Sequence, residues 1–378
     1  MRQQRRARLA GFAARTAAAP PGGSDAVTGI TVHPLREPAS GRRYTVIRLE
    51  TAGGLSGYGE CGGVAPEAIA LARQTLPGAA ATAVEPVRRL LAEHPRLQAA
   101  VNMALLDIAA KAAQVPLCQF LGGPTRNRVR AMAPLAGGSD GALGESMRAV
   151  KAAGHRAFAV ALPPPPARNQ GQGYVRAVLR RLESLRAAAG EECDFVLAGA
   201  GKLTPGDAAA LSRALERFHL LWFDEPCEAV GLETAARLSA ESVTPLGFGA
   251  AIESPAGFLD LLREGIADVL RPAVGVHGIT QIRKIAALAE TYYVAVAPVH
   301  TGGPVATAAA LHLAASLPNF FIQETPFPAA EADRRMREAI AGPALEKPVE
   351  GYFHLPAGPG LGINVDEGAL ATHRERAV

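Results

Sequence analysis

Residues 194–226 read DFVLAGAGKLTPGDAAALSRALERFHLLWFDEP, and this stretch decides the fold class. A short β-rich run is followed by an amphipathic helical segment and then by a second short β-rich run. Thr204, Pro205 and Asp207 form a helix start, with an N-cap hydroxyl, a proline in the first turn and an acid near the free N–H groups. The stretch therefore predicts one βα unit of a parallel sheet.

The same alternation of short β-rich runs and helices of ten to fifteen residues extends through residues 126–345. Eight such strands predict a sheet that closes into a barrel. In a barrel of this type, chemistry is carried at the carboxyl ends of the strands. The predicted strands are AMAPLAG, RAFAVAL, DFVLAGA, LLWFDEP, PLGFGAA, DVLRPAV, YVAVAPV and FFIQET.

The segments on either side of the barrel predict a smaller α+β unit. Residues 26–125 begin with strand-like runs separated by glycine turns and continue with three segments of helical apolar spacing. We expect an antiparallel meander covered by helices, packed as a cap on the barrel. Residues 346–378 are rich in Gly and Pro, and we expect them to run back to the cap.

Composition indicates an ordinary globular protein, with 48% hydrophobic and 20% charged residues. The net charge of +4 comes largely from a basic arm, so we expect no nucleic-acid face, and no apolar run is long enough to span a bilayer. The arm, residues 1–25, contains paired arginines followed by small residues. It is either a disordered arm or an export signal of the twin-arginine type, which leaves an exported and a cytoplasmic location open.

Six motifs are spread along the chain: GLSGYGEC, NMALLDIAAKAAQVPLCQFLGG, GKLTP, WFDEP, GITQIRKIAALAE and GPVATAAALHLAASLPNFFIQE. They resemble the mandelate racemase and acid-sugar dehydratase branch of the enolase superfamily, which also includes muconate lactonizing enzymes. The resemblance extends from about residue 44 to 365. It implies a modified (β/α)7β TIM-like barrel with an α+β capping domain at the N-terminus.

The resemblance implies a Mg²⁺ site built from three carboxylates at the ends of the third, fourth and fifth strands. Such an ion stabilises the enediolate formed when a proton is removed next to a substrate carboxylate. In this chain the three positions fall on Ala198, Asp224 and Ala250, at intervals of about 26 residues, roughly one βα repeat. Asp224 is thus the only ligand position that keeps a carboxylate.

The acid/base positions that the resemblance implies are also replaced. The lysine pair of the second strand falls on Ala159 and Ala161, and the Asp–His dyad of the sixth and seventh strands falls on Ala273 and Val299. We therefore predict a largely apolar barrel mouth around Asp224. The polar residues that remain near the predicted pocket are Lys202, Asp224, Glu225, Arg271, His300 and Glu324, with Arg271 or Lys202 expected to neutralise Asp224.

Three functional hypotheses follow from these residues. The first is a catalytically silent binding or assembly module, which the replaced ligands favour. The second is an acid-sugar dehydratase or racemase that abstracts a proton next to a carboxylate, as the resemblance implies. The third is a metal-free acid/base enzyme using His300 with Asp224 or Glu324, since a histidine beside a carboxylate can transfer protons.

The sequence also leads to predictions about ligands and assembly. We predict no bound cofactor, although the resemblance implies Mg²⁺, because a single carboxylate is a poor site for an ion that requires octahedral oxygen coordination. We expect a small carboxylate as ligand. Because relatives commonly assemble through their barrels, we also expect a homo-oligomer.

Overall fold

A computed structural model gives the fold and describes residues 23–164, 171–227 and 231–375. The predicted arm covers residues 1–25, of which 1–22 lie outside this description. The first unit is an antiparallel sheet of order β1-β2-β3, followed by helices. Its elements are β1 (Val27–Arg36), β2 (Arg43–Thr51), β3 (Ser56–Cys61), α1 (Pro66–Thr75), α2 (Val84–Leu90), α3 (Pro95–Ala112) and α4 (Leu117–Phe120).

The second unit contains all eight predicted barrel strands. They pair in parallel in the order β10-β9-β8-β7-β6-β5-β4-β11. The strands are β4 (Arg128–Pro134), β5 (Ala157–Ala161), β6 (Asp194–Ala198), β7 (Trp222–Asp224), β8 (Leu246–Phe248), β9 (Val269–Leu270), β10 (Ala295–Val296) and β11 (Gln323–Glu324). The helices are α5 (Asp140–Ala152), α6 (Gln172–Ala189), α7 (Pro205–Leu215), α8 (Leu232–Glu241), α9 (Pro255–Arg263), α10 (Val274–Glu290), α11 (Pro304–Ser316) and α12 (Glu331–Ala341).

The barrel closes between its last two strands through single bridges rather than a long ladder. Val296 pairs with Phe320, and Val299 pairs with Glu324, both in parallel. The inner space is filled by side chains, as expected for a barrel of this size. The interior cluster consists of Met132, Ala157, Ala159, Val196, Trp222, Val269, Ala297 and Ile322.

The helices begin and pack as their sequences predict. Thr204 caps α7, with its side-chain oxygen accepting a hydrogen bond from Asp207 N–H at 3.2 Å, and Pro205 is the first helical residue. Helix α11 is buried along its whole length, because it packs on β3 of the cap as well as on the barrel. Within the described ranges, none of the helices combines the length and the apolar character that a bilayer crossing requires.

The C-terminal segment contacts both units. Strand β12 (Tyr352–His354) pairs antiparallel with β4 of the barrel. Further on, Leu361 N–H donates to the buried carboxylate of Asp107 in α3 at 2.8 Å, and helix α13 (Glu367–Thr372) lies near β1. The segment thus ties the barrel to the cap.

The contact between β3 and α3 depends on two glycines of the GLSGYGEC motif. A Cβ atom on Gly57 would lie 2.2 Å from the carbonyl oxygen of Ala104, and one on Gly59 would lie 1.9 Å from that of Ala100. No side chain fits at these distances, so the strand lies directly on the helix backbone. This close approach sets where the end of β3 meets the barrel.

We predict that Gly59→Ala lowers the free energy of unfolding by about 2 kcal/mol or more, because the strand and helix backbones must separate. Urea unfolding followed by circular dichroism measures the change. Gly63→Ala is the matched control, since a Cβ there meets nothing within 4 Å and its stability should stay within about 0.5 kcal/mol of the parent protein. Equal stability of the two variants would contradict this packing account.

Candidate active site

Three of the predicted site residues form one ion cluster at the carboxyl ends of the barrel strands. Asp224 ends β7, Arg271 follows β9, and Glu324 ends β11. The Arg271 Nε donates to Asp224 Oδ1 at 3.0 Å, and its Nη2 donates to Glu324 Oε2. The sequence predicts a largely apolar barrel mouth around Asp224. In the structure, charged side chains from distant strands converge on this carboxylate.

Arg271 is fully engaged within this cluster. Its Nη1 donates to the carbonyl oxygen of Ala297 at 2.9 Å, and the guanidinium carbon lies 4.9 Å from the centre of the Trp222 ring. Burial by itself lowers the pKa of Arg271, but the charges of Asp224 and Glu324 outweigh burial and raise it. The side chain therefore holds a permanent positive charge between two carboxylates.

Glu225 has a separate role beside the cluster. It adopts a left-handed backbone conformation with φ of 42°, and its Oε1 accepts hydrogen bonds from the N–H groups of Gly249 and Ala250 at 2.7 and 2.8 Å. Burial and the neighbouring charge of Asp224 raise the pKa of Glu225. The carboxylate therefore holds the loop after β8 rather than facing open solvent.

The family positions that hold Ala or Val divide into two groups. Ala159 is buried in the interior cluster, Ala161 is exposed at the end of β5, and Ala198 is partly buried at the end of β6. The other three, which follow the fifth, sixth and seventh strands, line a cavity between barrel and cap. They are Ala250, Ala273 and Val299.

This cap–barrel cavity has a volume of about 430 Å³, the size of a small-molecule site. Its barrel side is formed by the three replaced positions together with His300 and the loop that follows it. Its cap side is formed by residues from β2, the end of β3 and the start of α3. The charged or titratable cap residues are Arg43, Glu60, Cys61 and Arg96.

His300 is held inside the protein by both ring nitrogens. Gly302 N–H donates to Nδ1 at 3.3 Å, so Nε2 carries the proton and donates to the Gly303 carbonyl oxygen at 3.1 Å and the Thr307 hydroxyl at 3.0 Å. Burial, with a contribution from Arg337, lowers the pKa of His300 to about 3. The ring is neutral and makes no hydrogen bond to Asp224 or Glu324.

Glu60 is the residue before the end of the glycine-rich strand β3, and it binds the start of helix α11. Its oxygens accept hydrogen bonds from the N–H groups of Gly303, Val305 and Ala306, which are otherwise unsatisfied at a helix N-terminus. Burial raises the pKa of Glu60 to about 7, although these donors act in the opposite direction. Glu60 therefore fixes the cavity wall that contains His300.

The structure thus places the predicted residues in three surroundings. Asp224, Arg271 and Glu324 lie together, whereas Glu225 binds the loop after β8 and His300 lies in the cavity wall. Lys202 is exposed and, within the ranges described, forms no ion pair with Asp224, so Arg271 is the neutralising partner. Their roles in catalysis remain predictions.

Sequence reasoning missed the cap side of the cavity. Arg43, Glu60 and Arg96 lie far along the chain from the barrel residues they approach. Two signals were available. Glu60 is an acid directly after Gly59, the second glycine of its strand. Arg96 is a cation directly after the proline that begins a helix, where the helix dipole disfavours positive charge.

Comparison with known families agrees with this architecture. Residues 29–122 match the N-terminal domain of the mandelate racemase / muconate lactonizing enzyme family, and residues 142–369 match the enolase C-terminal domain-like family. The chain belongs to the mandelate racemase and muconate lactonizing enzyme family of the enolase superfamily. The predicted fold class is confirmed.

Individual relatives within this family are named as particular enzymes. D-galactonate dehydratase from Ralstonia nicotianae is 34% identical over 285 residues, covering 74% of this chain and 73% of that protein. An enolase from Agrobacterium radiobacter, named as a candidate galactarate dehydratase and solved with sodium and L-malate, is 27% identical with a TM-score of 0.82, covering 93% and 97% of the two chains. A mandelate racemase/muconate lactonizing enzyme-like protein from Rubrobacter xylanophilus, 24% identical with a TM-score of 0.82 over 93% and 98%, shares the fold.

These relatives correct two predictions. The catalytically silent module is contradicted, because the two Ralstonia relatives are named D-galactonate dehydratases, which favours the second hypothesis. The prediction of no cofactor is contradicted as well, because dehydratases of this superfamily typically use Mg²⁺ and the Agrobacterium protein holds sodium. Both predictions rest on the few ligand and acid/base positions that are replaced, whereas the relatives are similar to this chain over most of its length.

The residues described at the strand ends do not fit a three-carboxylate Mg²⁺ site in their present arrangement. Within the described ranges, no group of three or more His, Cys, Asp or Glu side chains could hold a metal ion. Asp224 and Glu324 are both bound to Arg271, and Glu225 is bound to backbone N–H groups. We therefore derive no catalytic step through a metal ion.

We predict that Arg271→Met lowers the free energy of unfolding by about 3–5 kcal/mol, because it leaves two buried carboxylates without their partner. Combining it with Asp224→Asn and Glu324→Gln should restore most of the loss, since no buried charge then remains unpaired. Urea unfolding at pH 7 measures all three free energies.

Arg213→Met is the control for this series, since Arg213 pairs with Glu241 on the surface, where the two side chains are 67% and 52% exposed. Its loss should be below about 1 kcal/mol. An Arg271→Met protein as stable as this control would show that the ion cluster is not a structural constraint.

Proposed function

We propose that this protein is an acid-sugar dehydratase. The observation that carries the proposal is the cap–barrel cavity, which combines two cap arginines with the strand-end positions where the family carries its chemistry. The match to D-galactonate dehydratases over 74% of the chain supports the reaction class. L-malate, a hydroxy acid bound by the Agrobacterium protein, supports a small hydroxylated carboxylate as ligand.

The reaction is the loss of one water molecule from a polyhydroxy acid. The proton on the carbon next to the carboxylate is removed, and the hydroxyl group of the adjacent carbon leaves with a proton as water. The enol that remains tautomerises to a 2-keto-3-deoxy acid. The developing negative charge on the carboxylate requires positive charge nearby.

The chain's own residues supply binding and shape. Arg43 and Arg96 contribute positive charge at the cap side of the cavity, and the barrel side, with Ala250, Ala273 and Val299, contributes room. Glu60 holds the wall between them by binding the start of α11. The Arg271 cluster links the carboxyl ends of β7 and β11. The homo-oligomer and the exported or cytoplasmic location remain predictions from the sequence.

We predict that the purified protein converts at least one six-carbon acid sugar, D-galactonate or galactarate, to a 2-keto-3-deoxy acid. Proton NMR and the semicarbazide assay detect the product, with Mg²⁺ or Mn²⁺ added and with a chelator in parallel. Ala250→Trp should abolish turnover by filling the cavity.

Ala188→Trp is the matched control, because it adds the same side chain at an exposed position on helix α6 and should leave turnover unchanged. If folded protein forms no keto acid from any member of an acid-sugar library under any of these metal conditions, the dehydratase proposal is wrong. Turnover that persists in Ala250→Trp would instead place the reaction outside this cavity.

A further inference from the structure

A groove in the outer helical layer of the barrel lies between α10 and the end of α11. Its volume is about 550 Å³. One wall is formed by α10, and the other is formed by the residues that follow α4 and α11. None of the residues that line this groove lines the cap–barrel cavity. The groove is therefore a separate surface that the proposed reaction does not use.

Exposed aromatic side chains lie at both ends of this groove. Among the described residues, five large hydrophobic side chains are exposed, and the three aromatic ones are Phe120, Tyr292 and Tyr293. Phe120 directly precedes the lining residue Leu121, and the two tyrosines closely follow the lining residue Glu290. Tyr293 is 99% exposed, so its own chain leaves the ring uncovered. Exposed aromatic residues gathered at one place mark an interaction surface.

The exposed face of α10 has a simple charge pattern along the groove. Arg283, Ala287 and Glu290 are four and three residues apart, so they lie on one side of the helix. All three are exposed and line the groove, as does Lys284 beside Arg283. The face therefore has two cations at one end, a small residue in the middle and an acid at the other end. A small residue at the centre lets another helix approach closely.

The chain itself makes little use of these charges. Within residues 23–164, 171–227 and 231–375, the carboxylate of Glu290 has no hydrogen bond or ion pair. Arg283 donates from Nη2 to the carbonyl oxygen of Leu121 at 2.7 Å. Lys284 pairs with Glu85 at 2.6 Å, but the two side chains are 49% and 40% exposed, so water weakens the pair. The charges at both ends of the face are available to a partner.

A second copy of the same face complements this pattern. A two-fold axis perpendicular to α10 near Ala287 makes the two copies of the helix antiparallel. Glu290 and Arg283 lie about 4.5 and 6 Å from Ala287 along the helix axis, on opposite sides of it. The rotation therefore places Glu290 of each copy opposite the cations of the other. It also brings Tyr293 of each copy toward the Phe120 end of the other groove.

We propose that the exposed face of α10 and the aromatic residues at the ends of the groove form the interface of a two-fold symmetric dimer of this chain. The occupant of each groove is the α10 helix and the following tyrosines of the second copy. The proposal gives the expected homo-oligomer a defined surface. It is independent of the proposed function, because it uses no residue of the cap–barrel cavity.

Sedimentation velocity on the full chain tests this dimer. The parent protein should be a dimer in the micromolar range. Glu290→Lys should raise the dimer Kd at least about tenfold, because it places like charges opposite each other. The double variant Arg283→Glu and Lys284→Glu should do the same. An equal mixture of the two variant proteins should dimerise again, since each contact then pairs opposite charges.

Glu264→Lys is the matched control, because it makes the same charge reversal at an exposed position directly after the neighbouring helix α9, outside the groove. It should dimerise like the parent protein. Tyr293→Asn removes the aromatic ring but suits the left-handed backbone at this position, where φ is 58°. This variant should also weaken the dimer, by about tenfold. Circular dichroism checks that each variant has the Tm of the parent protein.

The outcomes decide between this surface and any other. A parent protein that is monomeric throughout the micromolar range would overturn the proposal and leave the groove to a different partner. A dimer that neither charge variant weakens would place the interface elsewhere. Folded charge variants that stay monomeric when mixed would contradict the antiparallel two-fold arrangement.

Discussion

The buried guanidinium of Arg271 is the interaction on which the barrel mouth depends. It binds Asp224 at the end of β7, Glu324 at the end of β11 and the carbonyl oxygen of Ala297 after β10, and it stacks on Trp222 inside the barrel. Burying these charges costs desolvation energy that their attraction offsets only when the geometry is good. The cluster therefore mainly fixes the positions of these side chains and contributes little net stability. It holds the carboxylates of Asp224 and Glu324 in place at the carboxyl ends of two barrel strands.

A second set of buried contacts holds the cap on the barrel. Glu37 of the cap pairs with Arg337 of α12 at 2.6 Å, and the same guanidinium binds Glu346 and the Gly302 carbonyl oxygen. Glu60 binds the neighbouring backbone at Gly303. Both cap carboxylates thus converge on the loop between His300 and α11. This loop is a cavity wall, so the position of the cap and the shape of the site are set by the same hydrogen bonds.

The sequence predicts the local elements well, because each is encoded in its own residues. The alternation of DFVLAGA, helix and LLWFDEP defines the βα units, and Thr204 marks a helix start that the structure confirms. The site is less predictable because it is assembled from distant segments. Nothing near Arg96 indicates that it lines one cavity with Ala250, and the Ala residues at ligand positions predict a silent barrel, which the dehydratase relatives contradict. Side-chain replacement is visible in a sequence, whereas a cavity formed by two units is not.

The most direct measurement is a crystal structure of the protein with D-galactonate bound. We expect the sugar in the cap–barrel cavity, beside Ala250, Ala273 and Val299, with Arg271 still bridging Asp224 and Glu324. Density for the sugar in any other place, or a bound sugar whose carboxylate has displaced Arg271 from its two partners, would contradict the account.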